Sequence, residues 1–89
     1  MCRNIKPLFN FAPPATDDDI RAAALQFVRK IAGTRAPSKQ NTDAFDAAVE
    51  AIFASSKTML DALITTAPPR DRLAFEELQK MKFKKRQAA

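Results

Sequence analysis

The sequence predicts a small all-α protein: three helices with an extended N-terminal arm packed across them. Three segments repeat apolar residues at the three- and four-residue spacing of one helix face. Two of these segments follow a proline pair, in "APPATDDDI" and "APPRDRLAF", where the fixed φ and missing N–H of proline suit a helix start. We expect one domain over residues 1–89, with the arm at 1–15, a helical core at 16–79 and a basic, frayed tail at 80–89.

The first helix is predicted over Asp17–Ala32, because both of its ends carry local signals. Thr16 is suited to the N-cap, and Asp19 three residues later completes an acidic version of the capping box. Gly33 follows two bases in the last turn and is suited to the left-handed position after the helix. The apolar stripe of this helix is Ile20, Ala24, Phe27, Val28 and Ile31.

The second helix is predicted over Lys39–Thr65, with Ser38 and Thr42 as rival N-caps. It has to end there because Pro68 disfavours the α region for the residue before it. A third helix is predicted from about Pro69, and the short first connection makes the first two helices antiparallel. The apolar stripes are Phe45, Val49, Ile52, Phe53, Met59, Leu60, Leu63 and Ile64 in the second helix, and Leu73, Ala74, Leu78 and Met81 in the third.

The arm is apolar but has no helical spacing. We expect Leu8, Phe9 and Phe11 to lie extended across the groove between the helices, since three such groups left in water would cost about 1.5–3 kcal/mol each. No apolar run is long enough to cross a bilayer, and prolines and aspartates interrupt any secretory signal. With a single cysteine and no internal disulfide, we expect a cytoplasmic protein.

Four stretches of the chain resemble a known family. These are "MCRNIK.LFNF.PPAT", "IRAAALQFVRKI.G", "PSK.N..AF" and "TTAPPRDR", which together span Met1 to Arg72. They are similar to the bacterial domain-of-unknown-function family 2277. The resemblance implies a small helical protein in which the Cys-Arg-Asn start and the Thr66 to Arg72 turn belong to the family pattern. It implies no activity, ligand or partner.

Cys2 is the weak candidate for catalysis. Removal of Met1 would place a free amine beside its thiol, as in N-terminal-nucleophile enzymes, and Arg3 with Arg70 or Arg72 would lower the pKa of the thiol. The simpler interpretation is a cysteine packed as a small apolar residue. The chain is too short for a glutamine amidotransferase domain, so a thiol-dependent activity, redox or N-terminal, is the third functional hypothesis.

Metal and cofactor sites are not expected. The chain has no histidine, and Asp43, Asp46 and Glu50 share a helix face without the Glu-x-x-His pattern of a di-iron bundle. The simpler interpretation of these three acids is a solvated helix face.

The basic tail is the strongest nucleic-acid signal. The formal charge is +5, and residues 67–89 hold seven bases against three acids. The candidate phosphate contacts are Lys80, Lys82, Lys84, Lys85 and Arg86, with Phe83 as a stacking group. Bases at a helix C-terminus also complement the helix dipole, so a structural role explains them too. Met81 and Phe83 are too few to anchor a membrane, and we expect no membrane partner.

The remaining feature is the corner "TTAPPRDR". It serves either as a stiff connection or as an anion pocket, in which two hydroxyls, two guanidinium groups and helix-start N–H groups meet the chain start. Our leading hypothesis is a non-enzymatic binding module for an unknown protein or small anionic ligand, acting as a monomer or homodimer. Its working surface is the junction of Cys2, Arg3, Asn4, Thr66, Arg70 and Arg72.

Overall fold

The computed structural model describes the backbone of residues 4–88 and the side chains of residues 4–82 and Lys84. Three helices make up most of this chain: α1 (Asp17–Ala32), α2 (Thr42–Ala62) and α3 (Arg72–Ala88). Two short strands, β1 (Phe11–Ala12) and β2 (Arg70–Asp71), pair in parallel. The fold is therefore mostly helical with three helices, as predicted, and the strand pair is an addition to that prediction.

Helix α1 has the predicted bounds because its caps form as the sequence indicates. The Thr16 hydroxyl accepts from the Asp19 N–H at 3.2 Å, and the Asp19 carboxylate accepts from the Thr16 N–H at 2.9 Å. At the other end Gly33 has φ +74°, and its N–H donates to the Arg29 carbonyl at 3.0 Å. Two reciprocal bonds and a left-handed glycine thus delimit the helix without help from tertiary packing.

Helix α2 is shorter than predicted at both ends. Lys39–Asn41 form a 3₁₀ turn, in which the Asn41 N–H donates to the Ser38 carbonyl at 2.9 Å, and the α-helix starts only at Thr42. At the far end Leu63 is extended, with ψ 138°, so the helix stops at Ala62. The predicted 27-residue helix is thus 21 residues long, because the tight turn and the extended residue take up its two ends.

Helix α3 begins at Arg72, three residues later than predicted. Arg70–Asp71 are extended because they pair with the arm, and a residue in a parallel ladder cannot also start a helix. The Asp71 carboxylate then accepts from the Ala74 N–H at 3.0 Å, which is the N-cap bond of α3. The helix continues to Ala88.

Helices α1 and α2 pack against each other as an antiparallel pair. The Lys57 ammonium lies 2.7 Å from Asp17, and one helical turn further along α1 Arg21 pairs with Glu50. Residues later in α1 therefore contact residues earlier in α2, as antiparallel helices require. The core between them is small. Its buried members are Ala24, Val28 and Val49, and the partly buried side chains packed around it are Leu25, Phe45, Ala48, Ile52 and Phe53.

The molecule is flat, and many apolar side chains predicted to face the core are exposed. The radius of gyration is 15.4 Å, against about 12 Å for a compact domain of this length, and the extents are 44 × 39 × 15 Å. The exposed apolar residues among those predicted for the core are Phe27, Ile31, Met59, Leu63, Ile64, Leu73, Leu78 and Met81. Each of them is at least 44% exposed, so none belongs to the core between α1 and α2.

The arm contacts the helices at several separate points. The Asn4 N–H donates to the Gln26 side chain of α1 at 2.8 Å, and the Lys6 ammonium lies 3.5 Å from Glu76 of α3. A groove of about 260 Å³ is bounded by arm residues 8–11 and by α1 and α2. That the arm packs across all the helices stays a prediction. Among residues 4–88 no helix is long and apolar enough to span a membrane.

Candidate functional site

The arm and the corner meet in a seam, which we define as residues 10–13 and 67–72. In register, Phe11 lies opposite Arg70 and Ala12 opposite Asp71. The Arg70 N–H donates to the Asn10 carbonyl at 2.9 Å, and the Asn10 side-chain amide lies 3.3 Å from the carbonyl oxygens of both Ala67 and Pro68. Asn10 has φ +63°, a left-handed backbone that asparagine tolerates better than most residues. One residue thus fastens the arm to three points of the corner.

Phe11 is the centre of the seam. Its ring is 6% exposed and meets the Phe75 ring edge-on, with 5.1 Å between centroids. The guanidinium carbons of Arg70 and Arg72 lie 4.5 Å and 5.7 Å from the Phe11 centroid. Two cations therefore share one aromatic ring, an arrangement that fixes the position of each guanidinium by cation–π attraction as well as by packing.

The Arg72 side chain links the corner to the arm and to α1. Its Nε donates to the Pro13 carbonyl at 3.0 Å, and its Nη1 lies 3.6 Å from the Asp19 carboxylate. The side chain is 13% exposed, and the buried Nη2 has no hydrogen-bond partner among the described residues. The adjoining cavity, between Lys6 and the start of α3, measures only about 10 Å³ and is too small for a ligand larger than water.

Asp19 links the cap of α1 to the seam. The bond from the Thr16 backbone N–H is the largest cause that lowers the pKa of Asp19 below its ordinary value of 3.8. The Thr16 hydroxyl and the charges of Arg72 and Lys6 act in the same direction, while partial burial opposes them. Asp19 is thus an ionised carboxylate with a structural task at neutral pH, and it neutralises Arg72.

Arg70 differs from Arg72 in being exposed to solvent. Its guanidinium lies on the Phe11 ring and 5.3 Å from the Phe75 centroid, yet the residue is exposed to solvent. Among the described side chains no carboxylate lies within 4 Å of it. An exposed guanidinium that is positioned by an aromatic ring and has no ion pair among the described side chains is suited to bidentate contact with a carboxylate or a phosphate.

The structure brings two of the predicted site residues together and places another elsewhere. Arg70 and Arg72 meet at Phe11, and Thr66 is exposed on the corner beside them in sequence. The backbone of Asn4 is bonded to α1 instead, and Cys2 and Arg3 lie outside the described residues. The sequence did not predict three further residues of this site. Two are arm residues that contact the corner, Asn10 and Phe11, and the third is Asp19 of α1, which pairs with Arg72.

The lysines of the tail are spread around α3. Lys80 and Lys84 share one face by their four-residue spacing, and Lys82 lies on the opposite side. Lys80 is 3.7 Å from Glu77 within the same helix, in a pair that is 71% exposed on both sides. The side chains of Phe83, Lys85 and Arg86 lie outside the described set. A continuous basic strip is therefore not formed by the described lysines.

The groove beside the arm carries one ion pair and no metal cluster. Lys57 donates to Asp17 at 2.7 Å, and this bond, with the charges of Asp17 and Asp61, raises the pKa of Lys57 above 10.5. Within residues 4–88 no group of three or more His, Cys, Asp or Glu side chains is placed to hold a metal ion. The ion pair ties α1 to α2 at the rim of the groove.

Comparison with known proteins gives one match. A family described as "Uncharacterized conserved protein (DUF2277)" matches residues 1–78, which includes the arm, the corner and the start of α3. Neither the curated proteins nor the solved structures contain a significant match.

Proposed function

The chain belongs to the uncharacterised family DUF2277, so its function has to be inferred from its own geometry, and we propose that it is a small binding module. The working surface is the seam, and Arg70 is the residue that contacts the partner. The ligand is an anionic group, a carboxylate or a phosphate, carried by a protein or a small molecule. The observation on which this rests is that Arg70 is exposed, with its guanidinium carbon 4.5 Å from the Phe11 centroid and no carboxylate within 4 Å among the described side chains.

Preorganisation supports the choice of Arg70. An arginine on an open surface loses side-chain entropy when it binds, whereas the Arg70 guanidinium carbon already lies 4.5 Å and 5.3 Å from the centroids of two aromatic rings. Its backbone is fixed as well, because its N–H is bonded to Asn10. Less ordering is therefore needed on binding than at Arg35, which is exposed in the connection between α1 and α2.

The corner next to Arg70 is rigid and offers further donors. Two prolines restrict its backbone, and Asn10 is bonded to the carbonyls of Ala67 and Pro68. The Ala67 N–H donates to the Thr65 hydroxyl at 3.1 Å, which tightens the turn. Thr66 is exposed, and we propose its hydroxyl as a second, weaker donor to the anion.

The test is a titration followed by backbone amide NMR, with three probes: inorganic phosphate, citrate and a labelled hexaglutamate peptide. We expect shifts at Asn10, Arg70 and the first turn of α3 with at least one probe. Arg70→Gln removes one charge and the bidentate edge, and a charge-assisted bond of about 1.5–3 kcal/mol predicts a loss of affinity of about 10- to 100-fold.

The matched control is Arg35→Gln, which removes the same charge from an exposed site outside the seam. If both variants weaken binding equally, the interaction reports net charge alone and the proposal is wrong. If no probe shifts the seam amides at millimolar concentration, the proposal is also wrong. Comparison of the three probes separates a phosphate preference from a carboxylate preference.

The alternative proposal is nucleic-acid binding through the tail. It is supported by Lys82 and Lys84, which are exposed and have no carboxylate within 4 Å among the described side chains. Binding of this kind weakens steeply with salt and is abolished by deleting residues 80–89, whereas the seam keeps its ligand after that deletion. A thiol activity at Cys2 is the third proposal, and loss of activity in Cys2→Ser with an unchanged fold would support it.

A further inference from the structure

Helix α3 has a second apolar face, which is exposed among the residues that the structure describes. The side that contacts the seam carries Arg72, Phe75 and Glu76. On the opposite side, Ala74, Leu78 and Met81 follow each other at the four- and three-residue spacing of a helical stripe. Leu78 is 48% exposed and Met81 63%. We call these three residues the outer stripe.

The charges beside the outer stripe are arranged with opposite signs in its two halves. Glu77 lies next to the stripe in the first half of α3, and Lys84 lies on the same side of the stripe one heptad later. Seven residues span about 10.5 Å along a helix, so these two side chains cannot neutralise each other within one chain. Glu77 instead makes only the exposed 3.7 Å contact with Lys80.

We propose that the outer stripe is a dimer interface, and that its occupant is α3 of a second copy of this chain, running antiparallel. In that arrangement Leu78 of each copy packs against Met81 of the other, and Glu77 of each copy faces Lys84 of the other. A parallel pair would instead put Glu77 of one copy and Lys84 of the other on opposite edges of the interface, where they do not meet. Antiparallel pairing also aligns the two helix dipoles favourably.

The symmetry of the pairing is what favours a second copy over a different protein. A two-fold axis between residues 79 and 80 generates both apolar contacts and both ion pairs from one patch, so the patch is complementary to itself. The flat monomer, with a radius of gyration of 15.4 Å, leaves this face of α3 open to such a partner.

The interface is small, and the dimer is therefore weak. Two Leu78–Met81 contacts on one helix fall short of the roughly 800 Å² per partner that standard interfaces bury. We expect a dissociation constant in the high-micromolar range. The state of the protein then depends on its concentration.

The experiment is sedimentation equilibrium of the full chain from about 10 μM to about 1 mM, with reductant present so that a disulfide through Cys2 is not counted. Leu78→Glu is expected to raise the dissociation constant more than about tenfold, because it puts an acid against the apolar contact and beside Glu77. The control is Ile64→Glu, which changes a residue 95% exposed and outside α3, and should leave the constant within about twofold.

Charge reversal tests the orientation without touching the apolar contact. Glu77→Lys and Lys84→Glu should each weaken the dimer about five- to thirtyfold, and the double variant should recover to within about threefold of the starting value. Lys80→Gln removes the contact within the helix and should leave the dimer unchanged. A chain that stays monomeric up to about 1 mM overturns the proposal, as does a dimer that tolerates Leu78→Glu or shows no recovery in the double variant.

Discussion

Removal of the Arg72 guanidinium is the most direct test of how the seam holds the fold together. In Arg72→Gln the Nε bond to the Pro13 carbonyl is lost, and a bond from a charged donor is worth about 1.5–3 kcal/mol. The contact with Asp19 is also lost, but at 3.6 Å and with Asp19 34% exposed it adds less than about 1 kcal/mol. Freeing the buried, unpartnered Nη2 returns part of this cost.

We therefore expect Arg72→Gln to lower the free energy of unfolding by about 2 kcal/mol. For 89 residues the total is roughly 5–13 kcal/mol, so the loss is a large fraction of it. The measurement is urea unfolding followed by far-ultraviolet circular dichroism, with stability compared at an unchanged denaturant slope. Arg35→Gln removes the same charge from an exposed site and should change stability by less than about 0.5 kcal/mol.

A double-mutant cycle with Asp19→Asn isolates the contact between the two side chains. Asparagine keeps an oxygen that accepts from the Thr16 N–H, so the cap is largely retained while the charge is removed. We expect a coupling of about 0.5–1 kcal/mol between positions 19 and 72. A loss in Arg72→Gln no larger than in Arg35→Gln would refute the reasoning that this guanidinium fastens arm, α1 and α3.

Three further predictions concern single residues of the fold. Phe11→Ala should cost about 3–5 kcal/mol in urea unfolding, because the ring is buried against Phe75, while Phe27→Ala, at 44% exposure, should cost clearly less. Gly33→Ala should cost about 1–2 kcal/mol from its φ of +74° alone, since no atom lies within 4 Å of the new methyl group, and an unchanged stability would contradict this. Because the pKa of Asp19 is lowered in the folded state, its contribution is fully present above pH 3.8 and is lost as pH falls through the folded pKa. Stability measured against pH should therefore fall less steeply on the acid side in Asp19→Asn than in the parent.

Helix α1 could be predicted to the residue because its signals are local. The capping bonds of Thr16, Asp19 and Gly33 join residues no more than four positions apart, so these local signals delimit the helix. The ends of α2 could not be predicted in the same way. Nothing nearby distinguishes a 3₁₀ turn at Lys39–Asn41 from an α-turn, and the extended Leu63 precedes the proline by five residues.

The seam could not be predicted because its partners are far apart in sequence. Asn10 bonds to residues 57 and 58 positions away, and Arg72 to a carbonyl 59 positions away. No periodicity or capping pattern encodes such a pairing. Of the candidate site, the sequence predicted Arg70 and Arg72 from their place in the corner "TTAPPRDR", and it missed the aromatic ring near which both guanidinium groups lie.

The backbone conformation of "RDR" explains why two arginines reach one ring and then differ in role. In a helix, side chains two positions apart diverge by about 200°, so a helix starting at Pro69 would direct only one of the pair toward Phe11. Because Arg70–Asp71 are extended and Arg72 is the first residue of α3, the guanidinium groups of Arg70 and Arg72 both lie near the Phe11 ring, while Asp71 between them caps α3. The pairing of β2 with the arm therefore creates the two-cation face. Arg72 then begins α3 and turns toward Pro13 and Asp19, which leaves Arg70 as the guanidinium of the seam whose N–H edges remain available to a partner.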